Sequence, residues 1–241
     1  MRDKARQTVQ RLGEALDARS PVTARRRQRV TRSMYHEGPR FRPWVWRFAT
    51  LMALSVSLAS LGLVADSPAV IIGAMVVAPL MGPVLGVSAA IVRGWPIRGF
   101  QQAVVVLVAA GGAIALAAAI GLAVASFETP PYELLARTKP NIRDLGVAML
   151  AGTVGAYTIV RREAAEAMAG AAIAVALVPP LATVGISLQS GRADMAVGAL
   201  LLVLANVTGV MFAGAITFIF VGYVPGMSLA GGAGQILRGM R

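Results

Sequence analysis

Apolar positions along this chain neither alternate nor keep to one helical stripe; they run on almost without interruption. Six such runs, 45–65, 69–92, 100–127, 145–160, 167–188 and 195–221, are separated by short polar or charged stretches. A helix rising about 1.5 Å per residue needs roughly 20 residues to cross a hydrocarbon core of about 30 Å. The pattern predicts an all-α polytopic membrane helix bundle of about six transmembrane helices. The fourth run is short and is expected to need local bilayer thinning or help from Asp144 and Arg161 at its ends. Trp44, Trp46, Trp95, Tyr132 and Tyr223 fall near run boundaries, where amphipathic rings favour the headgroup region. Asp66-Ser67-Pro68 reads as the start of the second helix, with Ser67 as N-cap and Pro68 in the first turn.

Composition agrees with the pattern. Hydrophobic residues make up 56% and charged residues only 14% of the 241 residues, a balance that water-soluble domains rarely reach. The absence of cysteine removes disulfides, thiolate nucleophiles and cysteine metal ligands. The single histidine, His36, lies outside the apolar runs, so no histidine relay or histidine metal site is expected. The first run follows a basic stretch longer than a signal-peptide n-region and is expected to stay as the first helix.

Charge orients the bundle. Residues 1–43 form a basic arm, within which Ala5, Val9, Leu12 and Leu16 have the spacing of a short surface helix. With six crossings and an internal N-terminus, 19 Lys and Arg fall on one side and four (Arg137, Lys139, Arg143 and Arg192) on the other. The positive-inside rule then puts both termini in the cytoplasm, in the inner membrane of a bacterium. The expected organisation is an arm at 1–43, a transmembrane domain at 44–223 with halves at about 45–127 and 142–223, and a cytoplasmic tail at 224–241.

The second and fifth runs resemble each other. A shift of 97 positions places Gly73 on Gly170, Ala74 on Ala171, Leu80 on Leu177, Pro83 on Pro180 and Gly94 on Gly191. Both centres are rich in helix breakers: Pro79, Gly82, Pro83 and Gly86 in one, Pro179, Pro180 and Gly185 in the other. Three crossings per half would make two inverted repeats with Pro/Gly-broken second helices, an arrangement common in transporters. The prolines are expected to free carbonyl acceptors on the preceding turn, usable in a solute path. The competing explanation is packing alone, since proline and glycine also permit kinks and close helix contacts. Either explanation puts both segments inside the bundle.

The strings Ile71-Ile72-Gly73-Ala74-Met75 to Pro79-Leu80-Met81-Gly82-Pro83 and Ala176-Leu177-Val178-Pro179-Pro180-Leu181-Ala182-Thr183-Val184-Gly185 resemble the paired signatures of a family of bacterial hydrophobic membrane proteins, domain of unknown function 389. The resemblance covers roughly 48–223. It implies a multi-pass inner-membrane fold and brings no substrate, mechanism or cofactor.

No enzyme is expected, because Asp66, Glu128, Glu133, Asp144, Glu163, Glu166 and Asp194 all fall in loops or at run ends, leaving no buried acid pair. Intramembrane carboxylates would be the default sign of a proton pump, and none is present. The neutral polar groups Thr183, Asn206 and Thr208 remain as path candidates, with Ser55, Ser57, Ser60, Ser88, Thr153, Tyr157 and Ser187 also inside the runs. Asn206 needs partners either across a helix interface or along a path, and Thr183 can also bond its own helix. Arg25, Arg26, Arg27 and Arg29 suit anionic lipid better than nucleic acid, since no aromatic residue interleaves them. The expected function is a channel or transporter for a small solute, the alternative a membrane scaffold or lipid-interacting protein. The bilayer and anionic lipids are the expected partners, and glycine-rich faces also suit a homo-oligomer. A wet centre between the broken segments would favour transport; packed centres with exposed small-residue faces would favour the scaffold.

Overall fold

The computed structural model describes residues 28, 30, 31, 34, 35, 41–124, 129–160 and 177–223, and it is helical throughout. Eight helices follow in order: α1 (Phe41–Val64), α2 (Pro68–Val77), α3 (Met81–Arg93), α4 (Pro96–Val124), α5 (Tyr132–Leu135), α6 (Ile142–Val160), α7 (Val178–Gln189) and α8 (Ala193–Phe220). Among them α1, α4 and α8 are each long and apolar enough to cross a membrane, as is the bent pair α2–α3 taken as one. Arg25, Arg26, Arg27, Arg29, the first part of the fifth run and the expected tail lie outside the described residues.

Local chemistry accounts for the helix ends. α6 starts three residues earlier than the apolar run, at Ile142, because Asn141 caps it: its Oδ1 accepts from the Arg143 and Asp144 amides at 2.8 and 3.2 Å. Asp144 Oδ2 in turn accepts from the Asn141 amide at 3.0 Å, a reciprocal box at the end where Asp144 was expected to help. Ser67 is the N-cap of α2 with Pro68 at the first position, as the sequence predicts, but its hydroxyl makes no cap bond. Asp66 instead closes α1. It takes the left-handed conformation at φ 51°, while the Asp66 and Ser67 amides bond back to Leu63 and Gly62. Its carboxylate accepts from the Glu133 amide at 2.7 Å, tying the first turn of the bundle to α5.

α2 and α3 meet at a 52° bend across Ala78, Pro79 and Leu80. The same local construction recurs 97 residues on. α3 and α7 start at 81 and 178, and α4 and α8 at 96 and 193. The Val84 amide bonds Leu80 and the Leu181 amide bonds Leu177; Gly94 and Trp95 close α3 on Ile91 and Ala90, as Gly191 and Arg192 close α7 on Leu188 and Ser187.

Two ends of the bundle can be told apart. At one, Arg93 in the last turn of α3 meets Tyr223 after α8. At the other, Asp66 meets Glu133, and a side chain added at Gly198 near the start of α8 would strike the Thr138 carbonyl. α3 therefore runs towards the first end and α8 runs from the second end to the first, while α4 runs the opposite way. α7, which ends one tight turn before α8 starts, runs towards the second end.

The core is formed by α3 and α7, which pack against α8 and α4 respectively, with α6 along α8 and α1 against α2 and α4. Ten of the twelve residues of α7 and eight of the thirteen of α3 are buried. Small residues make this closeness possible. A methyl group on Gly152 of α6 would lie 2.5 Å from the Val210 carbonyl of α8, and one on Gly214 of α8 would lie 2.6 Å from Leu85. In lipid, where burying apolar surface does not itself drive helices together, such contact supplies the packing energy.

Candidate functional site

Eight of the expected path residues lie at the bend before α3, in α3 and in the first two turns of α7, while Asn206 and Thr208 are on α8. Pro79 sits in the bend, half-buried; Gly82 and Pro83 are in the first turn of α3, and Gly86 lies one turn on, buried. Pro179 and Pro180 occupy the first turn of α7, with Thr183 and Gly185 behind them, all buried. Asn206 is buried in α8. Thr208 is exposed, two residues further round the same helix, and so does not face the centre.

The prolines act differently from the sequence expectation. Pro83, Pro179 and Pro180 lie at helix starts, where an α-helix leaves its first amides without intrahelical partners. Neither start has a side-chain cap, since Leu80 and Leu177 stand at the N-cap positions. Proline has no N–H, so it removes an unmet donor from a buried helix start. The carbonyl end of the bend is met differently: Ser55 of α1 donates to the Ala74 carbonyl in the last turn of α2 at 2.7 Å.

The remaining buried hydroxyls turn inward on their own helices. Thr183 donates to the Pro179 carbonyl at 3.0 Å, Thr217 to Ala213 at 2.8 Å and Thr158 to Gly155 at 3.0 Å. Thr153 and Tyr157 are exposed, and Thr153 and Ser57 each bond a carbonyl four residues earlier. Ser60 Oγ, Ser187 Oγ and Gln102 Oε1 are buried without a partner among the described residues. At Gly185 the backbone of α4 comes so close that an added methyl would meet the Ile114 carbonyl, with Ala117 Cβ at 2.8 Å and the Ala118 amide at 2.9 Å. Around Gly185 the described helices are closely packed, with neutral polar side chains buried among them.

Polar structure concentrates at the end marked by Arg93. Val30, Met34 and Tyr35, from the arm, are buried in the same core as α3. Tyr35 donates its phenol proton to the Gly86 carbonyl at 2.7 Å, and Thr31 and Tyr223 hydroxyls lie 3.0 Å apart. The Arg93 guanidinium donates to the Tyr223 carbonyl at 3.1 Å and stacks 4.4 Å from the Trp95 ring centre. Arg98 lies 4.8 Å from Trp95 and 5.3 Å from Tyr35, distances at which a guanidinium is drawn to a ring face. Gln102 packs against Gly86, whose missing side chain leaves 3.1 Å to the Gln102 Cγ. Sequence reading missed Tyr35 and Gln102. Gln102 was visible as an amide in an uncharged run, whereas nothing local marks Tyr35.

Burial pushes the phenols of Tyr35 and Tyr223 above the ordinary value near 10; for Tyr35 its neighbour Tyr223 adds to this, and the arginines oppose it in both. A raised folded-state value means that the protonated phenols contribute stability in full below about pH 10, lost as pH climbs through the folded values. In an ultraviolet titration of the four tyrosines, Tyr35→Phe and Tyr223→Phe should each delete a late transition, with unfolding accompanying it in the parent. Early ionisation of both phenols would contradict their burial.

The chain is similar to an uncharacterized protein, MJ0678, of the archaeon Methanocaldococcus jannaschii: they are 26% identical over 176 residues, covering 73% of this chain and 54% of the relative. The chain thus spans about half the length of the curated relative it matches. No solved structure matches it. Its long apolar helices make it an integral membrane protein with several membrane-spanning helices. The profile of the family described as domain of unknown function (DUF389) matches residues 75–212, more than half of the chain, and the protein belongs to that family.

Proposed function

We propose that the protein is a carrier for a small solute, built as two inverted three-crossing halves in the bacterial inner membrane with both termini in the cytoplasm. The observation that carries this reading is the recurrence of helix starts and cap bonds at 97 residues in helices that run in opposite directions, α3 against α7 and α4 against α8. Inverted repeats with a discontinuous helix in each half are the usual architecture of secondary transporters, which work by rocking one repeat against the other. Close packing around Thr183 and Gly185, which by itself favours a scaffold, fits a carrier only in a closed state. Tyr35, bonded to Gly86 inside α3, then seals the cytoplasmic end.

The cysteine-free chain makes the test direct. Val84 and Ala182 are fully buried in α3 and α7, so single cysteines there react with an impermeant thiol reagent only when the centre opens; Thr138 reports the outer loop. Expected are labelling at Thr138 in intact cells, slow labelling at Val84 and Ala182 that quickens in Tyr35→Phe, and solute flux in proteoliposomes. Permanent protection of both inner positions, with no flux across a broad solute screen, would remove the carrier reading.

A second reading, a lipid-interacting membrane protein, is favoured by an apolar groove on the outer surface of the bundle. In this reading Arg25, Arg26, Arg27 and Arg29 of the basic arm would meet anionic lipid, at about 1 kcal/mol per basic residue near the surface.

A further inference from the structure

An apolar groove of about 400 Å³ runs between α1 and α4, lined on one side by Trp44, Phe48 and Met52 and on the other by Val105, Val108 and Gly112. We propose that it is a binding site for one anionic phospholipid, with an acyl chain between the helices and the headgroup phosphate at Arg42. The inference goes beyond the carrier reading and requires only that the chain lies in a membrane.

Dimensions favour a lipid chain. The groove follows α1 from Phe41 to Val56, which at 1.5 Å per residue is about 22 Å. That is enough for one leaflet of a hydrocarbon core of about 30 Å and short of the full crossing that a helix from a second copy would use. The lining also favours it, since the groove holds no charged side chain. Gly112 lines the groove, and nothing lies within 4 Å of where its side chain would be, in contrast to Gly185 or Gly152, whose absent side chains admit a neighbouring helix. Gly112 therefore keeps space open that no part of the described chain fills.

Charge selects the headgroup. Arg42 is exposed and lies three and seven residues before Val45 and Ala49, so it shares their stripe of α1 at the end of the groove marked by Phe41. Trp44 and Trp46 stand at the same level, as interfacial rings do. Arg47 on α1 and Arg98 on α4 add to the positive field, and neither helix contains an acidic residue. A guanidinium can bind phosphate through two parallel hydrogen bonds, and a net negative headgroup keeps the attraction that a zwitterion loses.

The test uses the full chain in vesicles, with Trp44 as sole tryptophan through Trp46→Phe and Trp95→Phe. A small fraction of bromine-labelled phosphatidylglycerol should quench Trp44 several-fold more than the same fraction of labelled phosphatidylcholine. Gly112→Leu, which fills the groove without a clash, and Arg42→Gln should each bring the two lipids to the same level. Native mass spectrometry of the parent after delipidation, which needs no tryptophan change, should show one retained phosphatidylglycerol, lost in Gly112→Leu. Equal quenching by both lipids in the parent, or retention unaffected by Gly112→Leu, would mean ordinary surrounding lipid and overturn the proposal. So would disulfide cross-linking between copies through a cysteine at Val108, which would put a second chain in the groove.

Discussion

Gly185→Ala should destabilise the protein by at least about 2 kcal/mol. In an open helix the exchange stabilises, since glycine is about 1 kcal/mol less favourable than alanine. At Gly185 the new methyl would meet the Ile114 carbonyl, Ala117 Cβ and the Ala118 amide of α4. Two of these three belong to backbone, so no rotamer change relieves the contact. α4 and α7 have to separate where Gly185 is buried, and overpacking of this kind costs about 1–3 kcal/mol or more. Reversible unfolding in mixed micelles would measure it, with Gly112→Ala as reference. That position is empty within 4 Å and should become more stable by up to about 1 kcal/mol. Equal stabilities for the two variants would mean that α4 and α7 do not touch at Gly185.

Ser55→Ala should cost about 0.5–1.5 kcal/mol, the net worth of a buried hydrogen bond. Ser55 is fully buried and bonds the Ala74 carbonyl in the last turn of α2, next to the bend. In the hydrocarbon region no water can take its place. Ser55→Thr, which keeps the hydroxyl, should lose less. Ser57→Ala, next turn but bonding only its own helix at Ala53, should be near neutral. The same unfolding assay separates them, and a Ser55→Ala protein as stable as Ser57→Ala would remove the serine from the bend's support.

The helices that could be read from sequence were those in which local chemistry speaks alone. α1, α4 and α8 are long uncharged runs, and the bend at Ala78–Leu80 was marked by Pro79, Gly82 and Pro83. The breakers put the second and fifth runs inside the bundle; α3 and α7 are buried, whereas α2, the first half of the second run, buries only Ile71, Ala74 and Met75. Asn141 with Asp144 was a legible capping box that sequence reading passed over, which is why α6 starts earlier than its apolar run. The rotation of α8 was not legible. It is apolar on every side, and in lipid an apolar face gains nothing by turning inward, so Asn206 and Thr208 looked alike although one is buried and the other exposed. The direction of the proline effect was missed because the same residue frees an acceptor within a helix and removes a donor at its start.

The sequence by itself determined that the chain lives in a membrane, where it is helical, and that its second apolar run is interrupted at Pro79. These follow from uncharged length, from the need of every backbone group for a partner in lipid, and from proline's missing donor, all of which act within a few residues. Only the tertiary structure decided that Ser55 caps the bend, that Gly185 receives α4, and that Tyr35 reaches from the basic arm to Gly86. Those contacts join residues far apart in the chain, and their geometry depends on which small residue meets which backbone once the helices are side by side.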